Sequence, residues 1–275
     1  MKISTKLLSC AALTMSFGIL STQAVADQYS HKNSACKGLP THSELTQALK
    51  NSVAPTGGVD TNGGFDLNMW ATVVNRDGVV CAVTFSGDDR GSQWPGSRVI
   101  SAQKANTANA FSLDGLALST ANLYSAVQPG GSLFGLQFSN PVDPSVAYGT
   151  DGSPRGAEGQ SAKYYGTKRD PLVGDIPGGV NVFGGGLALY DSYGDVIGAV
   201  GVSGDSSCAD HNISWRVREN IGLDNVPGGV GPNGLDGIFY LVDEEEPNGF
   251  KHPQCGLDGL AVAEEIGSGG TGPAL

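Results

Sequence analysis

The chain has 275 residues and a formal net charge of −11, and its 42 glycines are about twice the usual share of 7%. The glycines follow no Gly-X-Y repeat, which excludes collagen, and a hydrophobic share of 39% with 16% charged residues excludes a disordered polyelectrolyte. Because nucleic acids and anionic membranes bind basic faces, the acidic balance argues against both as partners. We therefore expect an acidic, loop-rich globular protein.

Residues 1–26 have the features of a secretory signal peptide. Lys2 and Lys6 supply the charged start, residues 7–20 are mostly apolar, and Ala24-Val25-Ala26 forms a small-residue cleavage pattern. The apolar run is shorter than the ~20 residues that a membrane span needs, and no later segment has the required pattern. We expect cleavage near Ala26 and a periplasmic or secreted protein.

The first half of the mature chain is predicted to alternate helices and strands. The predicted elements are a helix over 41–53, strands over 67–75 and 79–85, helices over 97–111 and 119–127, and a strand over 134–138. Asp77-Gly78 between β-branched runs is a strong signal for a hairpin. Ala102, Ala105 and Ala108 lie near one stripe of their helix, which would let it pack closely on a sheet.

The second half contains a long loop, further regular elements and a tail. Residues 140–179 have no periodicity and predict a functional loop or an interface arm. The elements predicted beyond it are an ordered segment over 180–183, strands over 187–190 and 196–202, and a helix over 209–221. Residues 226–275 carry eight acids against Lys251 alone, and we expect the end to fray from Gly267. The predicted organisation is a signal peptide (1–26), a domain (27–225) and an acidic extension (226–275).

Two motifs in the middle of the chain have a distinctive sequence. Residues 101–108 read S-A-Q-K-A-N-T-A, and a glycine turn at 184–186 precedes the G-V-S-G of residues 201–204. Their combination resembles the GlcG/HbpS-type family of haem-binding and haem-degrading proteins, over about residues 41–223. The resemblance implies an α+β fold with a profilin-like antiparallel sheet flanked by helices, a homo-oligomer, and haem as a possible cofactor. Other members are linked to cobalamin or glycolate metabolism, so the fold does not fix the ligand.

Candidate ligand-binding residues lie on and before the first motif. The resemblance points to Lys104 and Thr107, and the Lys104 ammonium could pair with a ligand carboxylate or propionate. A simply solvated lysine is the alternative. Arg90, Trp94 and Arg98 precede this helix and offer two cations and an aromatic face to a flat acidic ligand, although a plain surface loop would also explain them.

The last predicted helix carries a second candidate group. Its apolar residues repeat every four positions and should face the core. His211, Trp215 and Arg218 lie on roughly the opposite side, where a tryptophan is unexpected on a solvated surface. An oligomer contact, cover by the acidic tail, or a ligand face would each explain it, in that order of preference.

The cysteines predict two disulfides in an exported chain. The four that remain after cleavage, with three possible pairings, are Cys36, Cys81, Cys208 and Cys255. The C-x-x-H of 208–211 and the H-x-x-C of 252–255 mirror each other and would suit a Cys₂His₂ metal site, but an oxidising compartment favours a Cys208–Cys255 disulfide. That bridge would draw His211 and His252 together as a metal or haem-edge site, and would leave Cys36 to pair with Cys81.

These patterns favour an exported, periplasmic protein that binds haem, a related tetrapyrrole or another flat acidic ligand. One alternative is an oligomeric interaction module that partners a periplasmic redox enzyme or sensor. A second alternative is a haem-degrading enzyme. The sequence lacks C-x-x-C-H, H-E-x-x-H and Walker motifs, and it shows no evident nucleophile–base–acid set, so no catalytic residue is predicted.

Overall fold

The computed structural model describes residues 35–148, 162–229, 236–242 and 249–271. The chain divides into a short unit, Met1–Lys37, and a main unit, Gly38–Leu275, which carries all the elements named below. The predicted signal peptide lies outside the described residues. Within the described ranges, we find no helix with both the length and the apolar character needed to cross a bilayer.

The main unit is a mixed α and β structure around one antiparallel sheet. In chain order its elements are α1 His42–Val53, β1 Trp70–Asn75, β2 Val80–Phe85, α2 Ser97–Phe111, α3 Leu123–Ala126, α4 Leu136–Ser139, α5 Pro144–Ala147, a 3₁₀ turn Ala162–Tyr164, β3 Gly186–Tyr190, β4 Val196–Ser203, α6 Ser207–Asn220, β5 Ile238–Phe239, α7 Gly259–Ile266 and β6 Gly269–Gly270. Four strands pair antiparallel in the order β2-β1-β4-β3, and β5 pairs with β6 in parallel. The predicted α+β class, an antiparallel sheet flanked by helices, is confirmed.

Local sequence signals explain where the first elements begin and turn. Thr41 starts α1 with a capping box, in which the Glu44 carboxylate accepts the Thr41 backbone N–H at 2.7 Å. In the predicted hairpin, the Asn75 side chain accepts the backbone N–H of Asp77 at 3.0 Å, and Gly78 adopts a φ of 81°. Both features form within a few residues, which is why the sequence predicts the helix and the hairpin correctly.

Helices cover both faces of the sheet. One face packs against α1 and α6, in a core that includes Leu45, Leu49 and Ile213. The other face packs against the alanine stripe of α2. A Cβ at Gly201 on β4 would lie 2.0 Å from the Ser101 carbonyl oxygen of α2, so a glycine there lets helix and sheet approach closely.

The described parts of the predicted long loop are packed against the domain. Val80 of the edge strand β2 donates its N–H to the Asp175 carbonyl at 3.0 Å and accepts the Gly174 N–H at 2.8 Å. Leu172 is fully buried in the same cluster as Trp70. The segment therefore covers the edge of the sheet, where unpaired backbone groups would otherwise be exposed. Residues 149–161 lie outside the described part.

Two local predictions are wrong. The strand predicted over 134–138 is instead the short helix α4, because Gly135 turns the chain with a φ of 90°. The end of the chain was expected to fray from Gly267, but β6 pairs with β5 and Ser268 is fully buried. The pairing partner of β6 lies 31 residues upstream of it at Ile238, so no local pattern could reveal it.

Candidate functional site

Lys104 forms a buried ion pair with Asp210. Its Nζ donates to Asp210 Oδ2 at 2.5 Å and to the Val202 carbonyl at 3.0 Å, and the lysine is 1% exposed. The other carboxylate oxygen accepts the backbone N–H of Asp205 at 2.9 Å and of Gly204 at 3.2 Å. The pair therefore joins α2 to the first turn of α6 and to the G-V-S-G motif, whose residues 201–204 end β4 and begin the turn into α6.

Burial shifts both members of this pair towards their neutral forms. Loss of solvent raises the pKa of Asp210 to about 6, against the opposing attraction of the Lys104 ammonium. The same loss of solvent lowers the pKa of Lys104, and the Asp210 carboxylate opposes that shift. Asp210 also lies in the first turn of α6, where the helix dipole favours a carboxylate. The solvated lysine considered above is thus not what the fold contains.

Arg98 is held by Asp170 from the long loop. Its Nε donates to Asp170 Oδ2 at 2.9 Å, its Nη2 donates to the other carboxylate oxygen, and its guanidinium lies 3.8 Å from the centre of the Tyr165 ring. Asp170 also accepts the Gly166 N–H at 2.7 Å and the Leu172 N–H at 2.9 Å. This fork-shaped pairing fixes the loop over α2.

The remaining candidates on and before α2 differ in exposure. The Thr107 hydroxyl donates to the Gln103 carbonyl at 2.7 Å and accepts the Asn181 N–H at 3.0 Å, so it links α2 to the chain that leads into β3. Trp94 is half exposed, and Arg90 is exposed. Their exposure contrasts with the burial of Arg98, and a shared role of the three residues towards a ligand stays a prediction.

The acidic extension covers the face of α6 that carries His211, Trp215 and Arg218. His211 Nε2 donates to the Ser268 carbonyl at 3.1 Å, and Arg218 pairs with the buried Asp236 while its guanidinium lies 4.8 Å from the Trp215 ring. Of the three explanations, cover by the tail is the one observed, whereas an oligomer contact was expected first. The predicted acid run at 243–246 lies outside the described residues.

Cys208 and Cys255 form the predicted disulfide, with their Cα atoms 6.1 Å apart. Cys36 and Cys81 are disulfide-bonded cysteines as well. The bridge brings His252 beside α6, where its Nε2 lies 2.8 Å from the Ser207 hydroxyl. Burial lowers the pKa of His252 to about 4 and that of His211 to about 3, so both imidazoles are neutral at pH 7.

One of the two histidines predicted as a metal site belongs to a group of possible metal-ligating atoms. The group found in the described chain contains His252 with Cys208 and Cys255, but not His211. The ligand-binding residues predicted from sequence, all of them buried except Trp94, are Lys104, Thr107, Arg98, Trp94, His211, Trp215 and Arg218. Their roles towards a ligand, and that of the histidine pair towards a metal, stay predictions.

A surface pocket of about 780 Å³ lies between α1, the end of β2 and the segment 163–169. The residues that line it are His42, Thr46, Lys50, Thr84, Phe85, Gly87, Asp88, Lys163, Tyr164, Gly166, Thr167, Lys168 and Arg169. Four of these side chains are cationic and Asp88 alone is acidic, in a chain whose net charge is −11. The pocket is therefore suited to an anion.

Tyr164 and His42 organise this pocket. The Arg169 guanidinium lies 4.1 Å from the centre of the Tyr164 ring, and the Lys163 ammonium lies 4.9 Å from it. His42 Nε2 donates to the Gly166 carbonyl at 2.8 Å, which ties the first turn of α1 to the loop.

Sequence reasoning did not find this pocket. The loop that supplies half of it has no periodic pattern, and His42 lies 124 residues from its partner Gly166. One usable signal was the cluster of Lys163, Lys168 and Arg169, three cations within seven residues of an acidic chain.

The architecture and site define an antiparallel α+β protein with a basic surface pocket. The model of the family described as haem degrading protein HbpS-like matches residues 62–217, more than half of the chain. The chain belongs to this HbpS-like family, which confirms the resemblance seen in the two motifs.

Two solved structures are similar at low identity. One is the crystal structure of a PduOC:heme complex, which is 22% identical in sequence. The match covers 67% of this chain and 94% of the PduOC chain, with a TM-score of 0.43. The other is the crystal structure of Klebsiella pneumoniae protein ORFY, which is 20% identical in sequence. The match covers 79% of this chain and 98% of the ORFY chain, with a TM-score of 0.40. Likenesses of this size say nothing of this chain's ligand. No curated protein matches the chain.

Proposed function

We propose that this protein is an exported haem-binding protein and that haem, or a related flat tetrapyrrole with acidic side chains, binds in the pocket between α1 and residues 163–169. The observation that carries the proposal is the cluster of four cations around one open pocket of an acidic protein. Membership of a family described by haem degradation supports the choice of a tetrapyrrole among possible anions.

The residues present fit such a ligand. Haem carries two propionates, and Lys50, Lys168 and Arg169 offer charges of the opposite sign. Tyr164 and Phe85 offer aromatic surface to the porphyrin, and the pocket's volume of about 780 Å³ is within the usual range for small-molecule sites.

His42 is the histidine of this pocket and would be the residue available to the iron. It is partly exposed, whereas His211 and His252 are buried. When bound, haem would supply a redox-active iron, and this chain would hold the propionates and orient the ring.

Titration of the purified protein with hemin, followed by the Soret band, tests the proposal. We expect 1:1 binding that Lys168→Glu weakens about 5- to 10-fold, because the reversal turns one attraction to a propionate into a repulsion of about 1 kcal/mol. Lys37→Glu makes the same change of net charge outside the pocket and should leave the affinity unchanged. His42→Ala should shift the Soret maximum. Absence of binding, or equal effects of the two lysine reversals, would refute this site.

Haem degradation is the second candidate function, favoured by the family's description. It requires product formation as well as binding. Hemin-loaded protein should then lose its Soret band when a reductant and oxygen are supplied, with release of iron and a linear tetrapyrrole. Stable binding without turnover would remove this candidate.

Export and self-association belong to the same proposal. The N-terminal sequence pattern supports export, and mass spectrometry of the periplasmic protein should find a chain that begins at Asp27. Phe134 and Phe138 are 60% and 83% exposed, which supports an interface with a second copy or with a redox partner. Sedimentation velocity should find a homo-oligomer, and a monomer with no co-purifying partner would contradict this part.

A further inference from the structure

A cluster of three metal-ligating side chains lies away from the basic pocket, at the junction of α6 with the tail. The ligand atoms of Cys208, His252 and Cys255 all lie within 4.8 Å of one another. We propose that reduction of the Cys208–Cys255 disulfide converts this junction into a Cys₂His site for a thiophilic metal ion such as Zn²⁺. The inference does not depend on haem binding.

His252 is already arranged as a metal ligand. Its Nδ1 lies 2.7 Å from the Pro253 carbonyl, which can only accept, so Nδ1 carries the proton. Its Nε2 therefore holds the free electron pair of the neutral ring and accepts the Ser207 hydroxyl at 2.8 Å. A histidine whose second nitrogen donates to a backbone carbonyl is typical of metal sites, because that hydrogen bond fixes both tautomer and ring orientation.

The two sulfurs are placed to become thiolates. Cys208 is the second residue of α6, and its backbone N–H donates to Cys255 Sγ at 3.2 Å. A helix N-terminus stabilises a nearby thiolate, and the thiolate is the form that binds metals. Cys255 is partly exposed, so a reductant and a metal ion can both reach the site.

The chemistry balances with a dithiol as the reductant. Two electrons and two protons from the dithiol break the Cys208–Cys255 bond, yielding two thiols here and a disulfide on the reductant. Zn²⁺ then replaces the two thiol protons and forms two bonds of ~2.3 Å, which holds the sulfurs ~3.8 Å apart in a tetrahedral site. His252 Nε2 leaves Ser207 to become the third ligand, and water completes the fourth position.

Metal titration of a variant with a single thiol pair tests the inference. The substitutions Cys10→Ser, Cys36→Ser and Cys81→Ser leave Cys208 and Cys255 as the only cysteines of the chain. The protein is reduced with dithiothreitol, desalted without oxygen and titrated with Co²⁺. We expect one Co²⁺ per chain, with a thiolate charge-transfer band and the ligand-field bands of a tetrahedral ion, and displacement of Co²⁺ by Zn²⁺. The oxidised protein should show none of these signals.

His252→Ala in the same background should weaken Co²⁺ binding about 100-fold, and His42→Ala serves as the matched control that leaves it unchanged. Zn²⁺ should also raise the melting temperature of the reduced protein and not of the oxidised protein. Three results would each overturn the inference: a folded reduced protein without the charge-transfer band, binding that His252→Ala does not weaken, or a reduced chain that unfolds and is not refolded by Zn²⁺.

Discussion

Replacement of Lys104 by methionine separates a structural role of the family helix from a ligand-binding one. Methionine keeps most of the length and apolar stem of lysine but removes the ammonium that pairs with Asp210 at 2.5 Å. The Asp210 carboxylate then stays buried, held only by the backbone N–H groups of Gly204 and Asp205. Removing one partner of a buried pair destabilises a protein by about 3–5 kcal/mol. We expect a loss of that size for Lys104→Met at pH 7.5.

The size of this loss should depend on pH in a defined direction. Burial raises the pKa of Asp210 to about 6 although Lys104 opposes it, so Lys104→Met raises that pKa further. At pH 5 Asp210 is then protonated in the folded variant, and most of the loss disappears. Adding Asp210→Asn removes the charge at every pH while its amide oxygen can still accept both N–H groups. The double variant should be about 2 kcal/mol more stable than Lys104→Met at pH 7.5.

Urea unfolding followed by far-UV circular dichroism measures these differences, and hemin titration of the folded variants gives the second readout. Lys168→Met is the matched control, since that lysine is exposed in the basic pocket. We expect Lys168→Met to change stability by less than about 0.5 kcal/mol and to weaken hemin binding. Lys104→Met should lower stability and leave hemin binding unchanged. A Lys104→Met variant that is as stable as the parent, or that folds normally and loses hemin, would refute the reasoning.

Two further predictions concern acid stability and the contact between helix and sheet. The lowered pKa values of His211 and His252, about 3 and 4, mean that these groups take up protons on unfolding below pH 6.5. The contribution of the two histidines to the free energy of unfolding is present above pH 6.5 and is lost as pH falls, by about 2 kcal/mol each at pH 5. The raised pKa of Asp210 acts in the opposite direction and adds about 1 kcal/mol to the free energy of unfolding over the same range. Urea unfolding should therefore show a net loss of about 2–3 kcal/mol between pH 7 and pH 5, and a flat profile would contradict the burial of both imidazoles. Gly201→Ala would place a Cβ 2.0 Å from a carbonyl oxygen of α2 and should lower stability by about 3 kcal/mol. The control Gly96→Ala places a Cβ with no atom within 4 Å and should change stability little. Equal effects of the two substitutions in thermal melts would show that β4 and α2 are not in close contact.

Elements with a local signal were predicted well. The alanine stripe of α2 and the Asp77-Gly78 hairpin depend on neighbours a few residues away, and both form as expected. The strand predicted over 134–138 failed because a short apolar run does not distinguish strand from helix, and the positive φ of Gly135 decided it. The disulfide between Cys208 and Cys255 was predicted from spacing and compartment, and the bond is present.

The candidate site was predicted only in part. Lys104, Arg98 and Arg218 were chosen from sequence as cations for an acidic ligand, and each instead meets a buried carboxylate of this chain. Those carboxylates lie 106, 72 and 18 residues from their partners, respectively, so no sequence window contains both charges of the longer pairs. A sequence shows that a cation is present, and only the fold shows whether its partner comes from the same chain or from a ligand.

The sequence by itself determined the long helices α1, α2 and α6, the hairpin, the oxidised Cys208–Cys255 pair and the family, because each of these is encoded in residue types at short spacings. The tertiary structure alone decided how the glycines and acids of the composition are used. Gly201 lets α2 approach β4, and Asp236 of the acidic extension neutralises Arg218 instead of forming part of a free anionic arm. The fold also gathers the basic pocket from α1 and a loop more than a hundred residues away. The physical reason is that burial and charge pairing act between groups that are close in space, whatever their separation along the chain.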